Sequence, residues 1–256
     1  MNLPNLVVRV YRILLPWLDI LAISAWGILI LKYWSTGRLS LLIHPNYFTL
    51  VLVTGIILII ISIARIRQLW QQRHCKVRYS VQHITIFPPG WGSTLLLVTA
   101  VLGFVFTPQV FASDKAMKKG INDLLGLSRI QPQSFRISVN PEERSLTDWI
   151  RTLNVYPEPD AYVGQKAKIQ GFVIHPQDFG DDFFLLARFV LTCCAADAYP
   201  VGLPVKVLTS RQEYKPDSWL EVQGIIGATT LLGKRQLIIN ASSLKKIPQP
   251  NNPYEY

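Results

Sequence analysis

Three long apolar runs separated by polar stretches fill half of the first 110 residues: Pro16 to Trp34, Tyr47 to Ala64 and Ser93 to Val110. Each approaches the ~20 apolar residues with which a helix crosses the hydrocarbon core of a bilayer. The second run, containing VLVTGIILIIISIA, carries no charge. Its β-branched residues would favour a strand in water, but in lipid a helix lets a single segment satisfy its own backbone groups. Trp17, Trp34, Tyr47 and Trp91 stand near the run ends, where amphipathic rings suit a membrane–water interface. A buried soluble helix or hydrophobic strand would explain one such run better than three. The third run is the weakest, broken by Gly103 and closed by Pro108.

The pattern changes beyond residue 110. Pro132, Pro141, Pro157 and Pro159 punctuate residues 111–161, which read as a connector with local structure. Phe135 to Val139 (FRISV) alternates like a short strand. Ser145 followed three positions later by Asp148 is a capping signal for a brief helix through Leu153, with Trp149 and Ile150 on an apolar face for the next domain. From residue 162 strands dominate: Lys166–Ile174, Phe183–Thr192, Val205–Leu208, Leu220–Ile226 and Gln236–Asn240, bounded by Asp178, Gly180, Gly202, Pro216 and Gly233. The pieces IQGFVI and VQGII each place a glycine, Gly171 or Gly224, mid-strand, which marks a bend, a bulge or a close backbone approach. The expected fold class is therefore an α+β membrane protein: three N-terminal transmembrane helices in residues 1–110, then a mainly-β, OB-like small barrel in 162–256. The helix such a barrel inserts after its third strand has little room, since SRQEYKPDSW is short and contains Pro216.

Charge gives this arrangement a direction. The net charge of +10 divides into +8 up to Val110 and +2 beyond it. The excess lies in short loops beside apolar runs, where topology explains it better than nucleic acid does, so no nucleic-acid partner is expected. Arg9 and Arg12 precede the first run, and Arg65, Arg67, Arg73, Lys76 and Arg78 follow the second; Lys32 and Arg38 alone occupy the first loop. Basic loops stay cytoplasmic, so an odd number of spans places the β domain on the extracytoplasmic side of the plasma membrane. Lys115, Lys118 and Lys119, just past the third run, oppose this orientation. Val110, Phe111 and Ala112 offer a minor cleavage possibility that would release the C-terminal part.

Candidate chemistry centres on Cys193 and Cys194, in LARFVLTCCAAD. With the β domain outside, Cys75 lies across the membrane and the pair is closed. Adjacent side chains of a strand point to opposite faces, so the two thiols meet each other or one ion only where the backbone bends, as Asp197 and the Ala195-Ala196 step suggest. Three readings follow. The thiolates with Asp197 and His175 bind zinc or copper(I); they exchange electrons through a vicinal disulfide; or they are structural, with Arg188 and Asp197 ion-paired. Asp19 in the first run, His44 before Pro45, and the trio His74, Cys75 and His83 are weaker candidates. No phosphate loop, nucleophile elbow or spaced catalytic His–acid pair is present, so an enzyme is not expected.

TGRLSLLIHPNYF at Thr36–Phe48, the short third run, GFVIHP from Gly171, FLLARFVLTCCAADA from Phe184, GLPV at Gly202 and WLEVQG from Trp219 together resemble the YcgQ-like family. That resemblance implies one subunit of a two-component membrane permease complex, partnered by a large multi-spanning permease-type protein in the lipid bilayer. Carried over by position, Arg188, Cys193, Cys194, Ala196 and Asp197 form its signature. The expected function is an accessory subunit whose extracytoplasmic β domain acts as an interaction or gating module. The alternative is an extracytoplasmic metal-binding or thiol-redox protein feeding the permease.

Overall fold

The computed structural model describes residues 3–72, 90–108, 116 and 140–256, with side chains from residue 14 onward. The chain divides into two compact units, residues 1–109 and 110–256. The first unit is helical: α1 spans Leu3–Ser35, α2 Phe48–Gln72 and α3 Trp91–Val105. The stretches Leu14–Ser35 and Pro45–Gln71 are long and apolar enough to cross a membrane. Pro16 lies inside α1 without ending it, a substitution that membrane helices tolerate better than soluble ones.

α1 packs against both other helices, through glycines. A Cβ on Gly27 would lie 2.8 Å from the Ile59 side chain, one on Gly55 2.9 Å from Ile30, and one on Gly103 2.6 Å from Leu29. Small residues let helix axes approach where lipid supplies no hydrophobic drive between them. Polar contacts add to this packing. The Trp26 indole N–H donates to the Leu96 carbonyl at 2.9 Å. Tyr33 donates to the Gly103 carbonyl, and the Ser93 hydroxyl donates to Asp19, so the acid in α1 is tied to α3. Much of α2 stays uncovered, with Leu50, Ile57, Ile60 and Trp70 all about half exposed or more.

The third helix is shorter than the sequence pattern predicts. It stops at Val105, where Phe106 turns extended, two residues before Pro108. At ~1.5 Å per residue its 15 residues reach about 22 Å, less than the ~30 Å hydrocarbon thickness. Among the described residues two helices, rather than the expected three, are thus long enough to span.

In the second unit α4 runs Leu146–Val155, two residues beyond the expected Leu153. The capping box is real: Ser145 Oγ accepts from the Asp148 N–H at 3.1 Å while the Asp148 carboxylate accepts from the Ser145 N–H at 3.1 Å. The proposed strand at Phe135–Val139 lies outside the described residues. Six strands follow: β1 Lys166–Ile174, β2 Phe183–Val190, β3 Tyr199–Lys206, β4 Trp219–Leu231, β5 Lys234–Ile247 and β6 Tyr254–Glu255. They form one mixed sheet in the order β1-β4-β5-β3-β2-β6, and β1 also pairs with β2, so the pairing path returns to its first strand. Only a 3-10 turn at Arg211–Glu213 separates β3 from β4.

Both glycine expectations hold. Gly171 sits where β1, paired with β4 up to Phe172, passes to β2, and a Cβ there would lie 2.6 Å from the Ala187 carbonyl oxygen. At Gly224 the β4–β5 register shifts, and a Cβ would collide with the Asn240 carbonyl oxygen. β3 begins earlier than predicted because Pro200 and Pro204 are compatible with its position: along Tyr199–Pro204 it pairs with β2 alone, and β5 joins it only at Val205 and Lys206. A strand free on one side needs no N–H there. The core joins α4 to the sheet through Leu146, Trp149, Ile150, Phe184, Val201, Val222 and Ile239, each 1% exposed or less.

Candidate functional site

β2 ends at Val190, which faces Tyr199 across the β2–β3 hairpin. The buried Leu191 then donates its N–H to the Glu255 carbonyl at 2.9 Å, and the chain leaves the sheet. The turn is built by one carboxylate. Asp197 accepts from the Cys193 N–H at 2.8 Å and the Cys194 N–H at 3.3 Å, while its own N–H donates to the Cys194 carbonyl at 3.0 Å. A short acidic side chain that bonds nearby backbone N–H groups is a standard turn-former. The alternation that separates adjacent strand side chains has ended here. The two Sγ atoms and an Asp197 oxygen all lie within 4.8 Å of one another. Neither cysteine is in a disulfide; Cys193 is exposed and Cys194 half-buried.

Electrostatics follow from this crowding. The hydrogen bond to Asp197, followed by that to Cys194, pushes the Cys193 thiol up to about 11. For Asp197, burial pushes the carboxyl up, but hydrogen bonds from the Cys193 side chain and from the N–H groups of Cys193, Cys194 and Thr192 outweigh it, and the net displacement is downward. The proton therefore rests on sulfur. Replacing the carboxylate removes a neighbour that disfavours thiolate, so Asp197→Asn should lower the Cys193 pKa and speed its alkylation at neutral pH. Since nucleophilicity falls as pKa falls, each unit of lowering gives a net gain of roughly threefold, and a total of about threefold to tenfold is expected. Mass-spectrometric alkylation rates resolved at Cys193 measure it; an unchanged or slower rate would show that Asp197 does not control this thiol.

The other predicted site residues fall elsewhere. His175 follows the end of β1, where Ile174 faces Leu185, and it neighbours Arg211 and Tyr214. Five residue steps along β2 lead from Leu185 to Val190, about 16 Å of strand, so His175 does not join the cysteines. Burial pushes its imidazole below the usual range, only partly opposed by the Tyr214 backbone. Nor does Arg188 pair with Asp197. Its guanidinium meets Glu255 at 3.2 Å, donates to the Asn252 carbonyl at 3.2 Å, and lies 5.5 Å from the centre of the Trp219 ring. The reason is register: Arg188 is in β2, two positions before Val190, beside the β6 strand that runs parallel to it. The trio His74, Cys75 and His83 lies outside the described residues. His44 caps the 3-10 turn Pro45–Tyr47, its Nδ1 accepting from the Asn46 N–H at 3.1 Å.

Residues 18–122 match the DUF1980 N-terminal domain, and residues 131–256 match the DUF1980 C-terminal domain. The chain carries both DUF1980 domains. No protein of curated function matches it. The pairing is consistent with the YcgQ-like resemblance. The DUF1980 C-terminal domain contains α4, all six strands and the cysteine turn. Within it, Glu255 is the residue that sequence reasoning missed. One of its carboxylate oxygens meets Arg188, and the other accepts from the Thr147 N–H at 2.8 Å in the first turn of α4. A negative group at a helix N-terminus is favoured by the helix dipole. The available signal was the Tyr-Glu-Tyr alternation at 254–256, masked by the preceding PQPNNP.

Proposed function

We propose that this chain is a membrane-anchored accessory subunit whose β domain docks onto a multi-spanning permease-type partner, and that it acts as an interaction module rather than an enzyme. In this reading the short α3 belongs to a third span, and the sheet's returning pairing path is that of an OB-like barrel. The arginine-rich loop after α2 is cytoplasmic and the β domain extracytoplasmic, at the plasma membrane.

The observation that carries it is an exposed apolar group at one end of the β domain. Val155, Tyr156, Val163 and Leu232 are 45–54% exposed; the first three flank the 3-10 turn Pro159–Tyr162 in sequence, and Leu232 lies in the β4–β5 turn, whose strand β5 is tied to that 3-10 turn. Tyr162 donates to the Tyr156 carbonyl at 3.0 Å, Gly164 donates to Ile226 at 3.0 Å, and Asp160 pairs with Arg235, which follows Leu232 by three positions. Clustered apolar side chains rimmed by charge mark a protein-binding face more often than solvated surface. Tyr156→Asp with Leu232→Asp is expected to lower co-purification of the permease-type partner at least tenfold while the domain stays folded. Undiminished co-purification would remove this face from the interaction. The orientation is tested separately: a membrane-impermeant maleimide on intact cells should label Cys193 and spare Cys75, and the reverse pattern would overturn it.

A further inference from the structure

Outside the docking face, the turn after β2 gathers three anionic or ionisable ligands of mixed softness, and no cationic side chain serves as their ion-pair partner among the described salt bridges. The two thiols and the carboxylate already lie within 4.8 Å of one another. With Zn–S near 2.3 Å and Zn–O near 2.1 Å, the corners of a tetrahedral site stand about 3.5–3.8 Å apart, so closure needs movements of about 1 Å in an exposed turn. Adjacent cysteines cannot reach two corners from a regular strand; here they do not have to, because the strand ended at Val190. The donor set also discriminates between metals. Two thiolates alone would suit copper(I), while the addition of a hard carboxylate oxygen shifts preference to a borderline divalent ion.

We infer that Cys193, Cys194 and Asp197 form a three-ligand site for Zn²⁺ or a similar borderline divalent cation, its fourth position open to solvent or to a ligand from a partner. Three protein ligands with one open position are the pattern of zinc sites that exchange or act, whereas closed four-ligand sites hold a fold together. Consistent with this, Cys193 is exposed and Cys194 half-buried, outside the hydrophobic core. The site stands independently of the docking face, and each can fail without the other.

The test uses the detergent-solubilised full chain, reduced with a phosphine, and Co²⁺ as the spectroscopic probe, followed by Zn²⁺ displacement. One equivalent of Co²⁺ with a thiolate-to-metal charge-transfer band is expected, displaced by Zn²⁺ and unaffected by Cys75→Ser. Cys193→Ser, at an exposed position, should abolish most of the band, as should Cys194→Ser. Asp197→Asn should weaken binding at least tenfold. Because Asp197 also shapes the turn, Cys193→Ser is the deciding variant. Absence of the band in the reduced wild-type chain would overturn the site, as would its full retention in the Cys193→Ser, Cys194→Ser double variant or its loss in Cys75→Ser.

Discussion

Trp149→Ala should destabilise the β domain by about 3–5 kcal/mol, the range for truncating a buried large aromatic residue. Trp149 is fully buried in α4, its ring edge-on to Tyr162 at 6.3 Å and 4.8 Å from the Arg144 guanidinium. The expected readout is hydrogen exchange of the β1, β2 and β4 amides in the full chain, accelerated on the order of a hundredfold or more, since about 1.4 kcal/mol corresponds to tenfold. Trp149 holds an unusual feature that sharpens the prediction: its indole N–H is buried without a hydrogen-bond partner among the described residues. Trp149→Phe removes that donor together with some volume, so part of the cavity cost is offset and the loss should stay below about 2 kcal/mol. If the two variants exchange equally fast, the cavity left by the ring does not set the loss.

Glu255→Ala is the second large effect. It leaves the Arg188 guanidinium, whose side chain is 14% exposed, without its carboxylate, and strips the acceptor from the Thr147 N–H. Removing one partner of a largely buried ion pair costs about 3–5 kcal/mol. Exchange should quicken in both α4 and β2, because Glu255 connects them. Combining Glu255→Leu with Arg188→Met should recover most of the loss, because a matched apolar pair of similar size carries no desolvation penalty. A double variant as unstable as Glu255→Ala alone would mean that the charges themselves, rather than the orphaned cation, stabilise this corner.

These two side chains differ in how far the sequence revealed them. Trp149 was legible, since the Ser145–Asp148 capping box starts a helix and fixes which positions share its inner face. Glu255 was not. Its partners lie 67 and 108 positions away in the chain, and no local pattern encodes contacts of that span. The same division runs through the candidate site. The Cys193–Asp197 bend is local, a five-residue backbone arrangement that an acidic side chain can impose, and it was anticipated. Placing Arg188 and His175 in that site required knowing which strand neighbours which; β6 beside β2 claimed Arg188, and the β1–β2 register carried His175 to the far end.

By itself, the sequence determined the elements: apolar runs long enough for membrane helices, the β1 boundaries, the mid-strand glycines at Gly171 and Gly224, and the turn that follows β2. All of these rest on interactions among near neighbours or on the period of burial. The tertiary structure alone decided that β1 pairs with both β2 and β4, that the prolines of β3 have a free side, and that Arg188 meets Glu255 while Asp197 bonds the backbone beside two thiols. Those outcomes depend on which distant segments come together, and their energies appear only after the chain has folded.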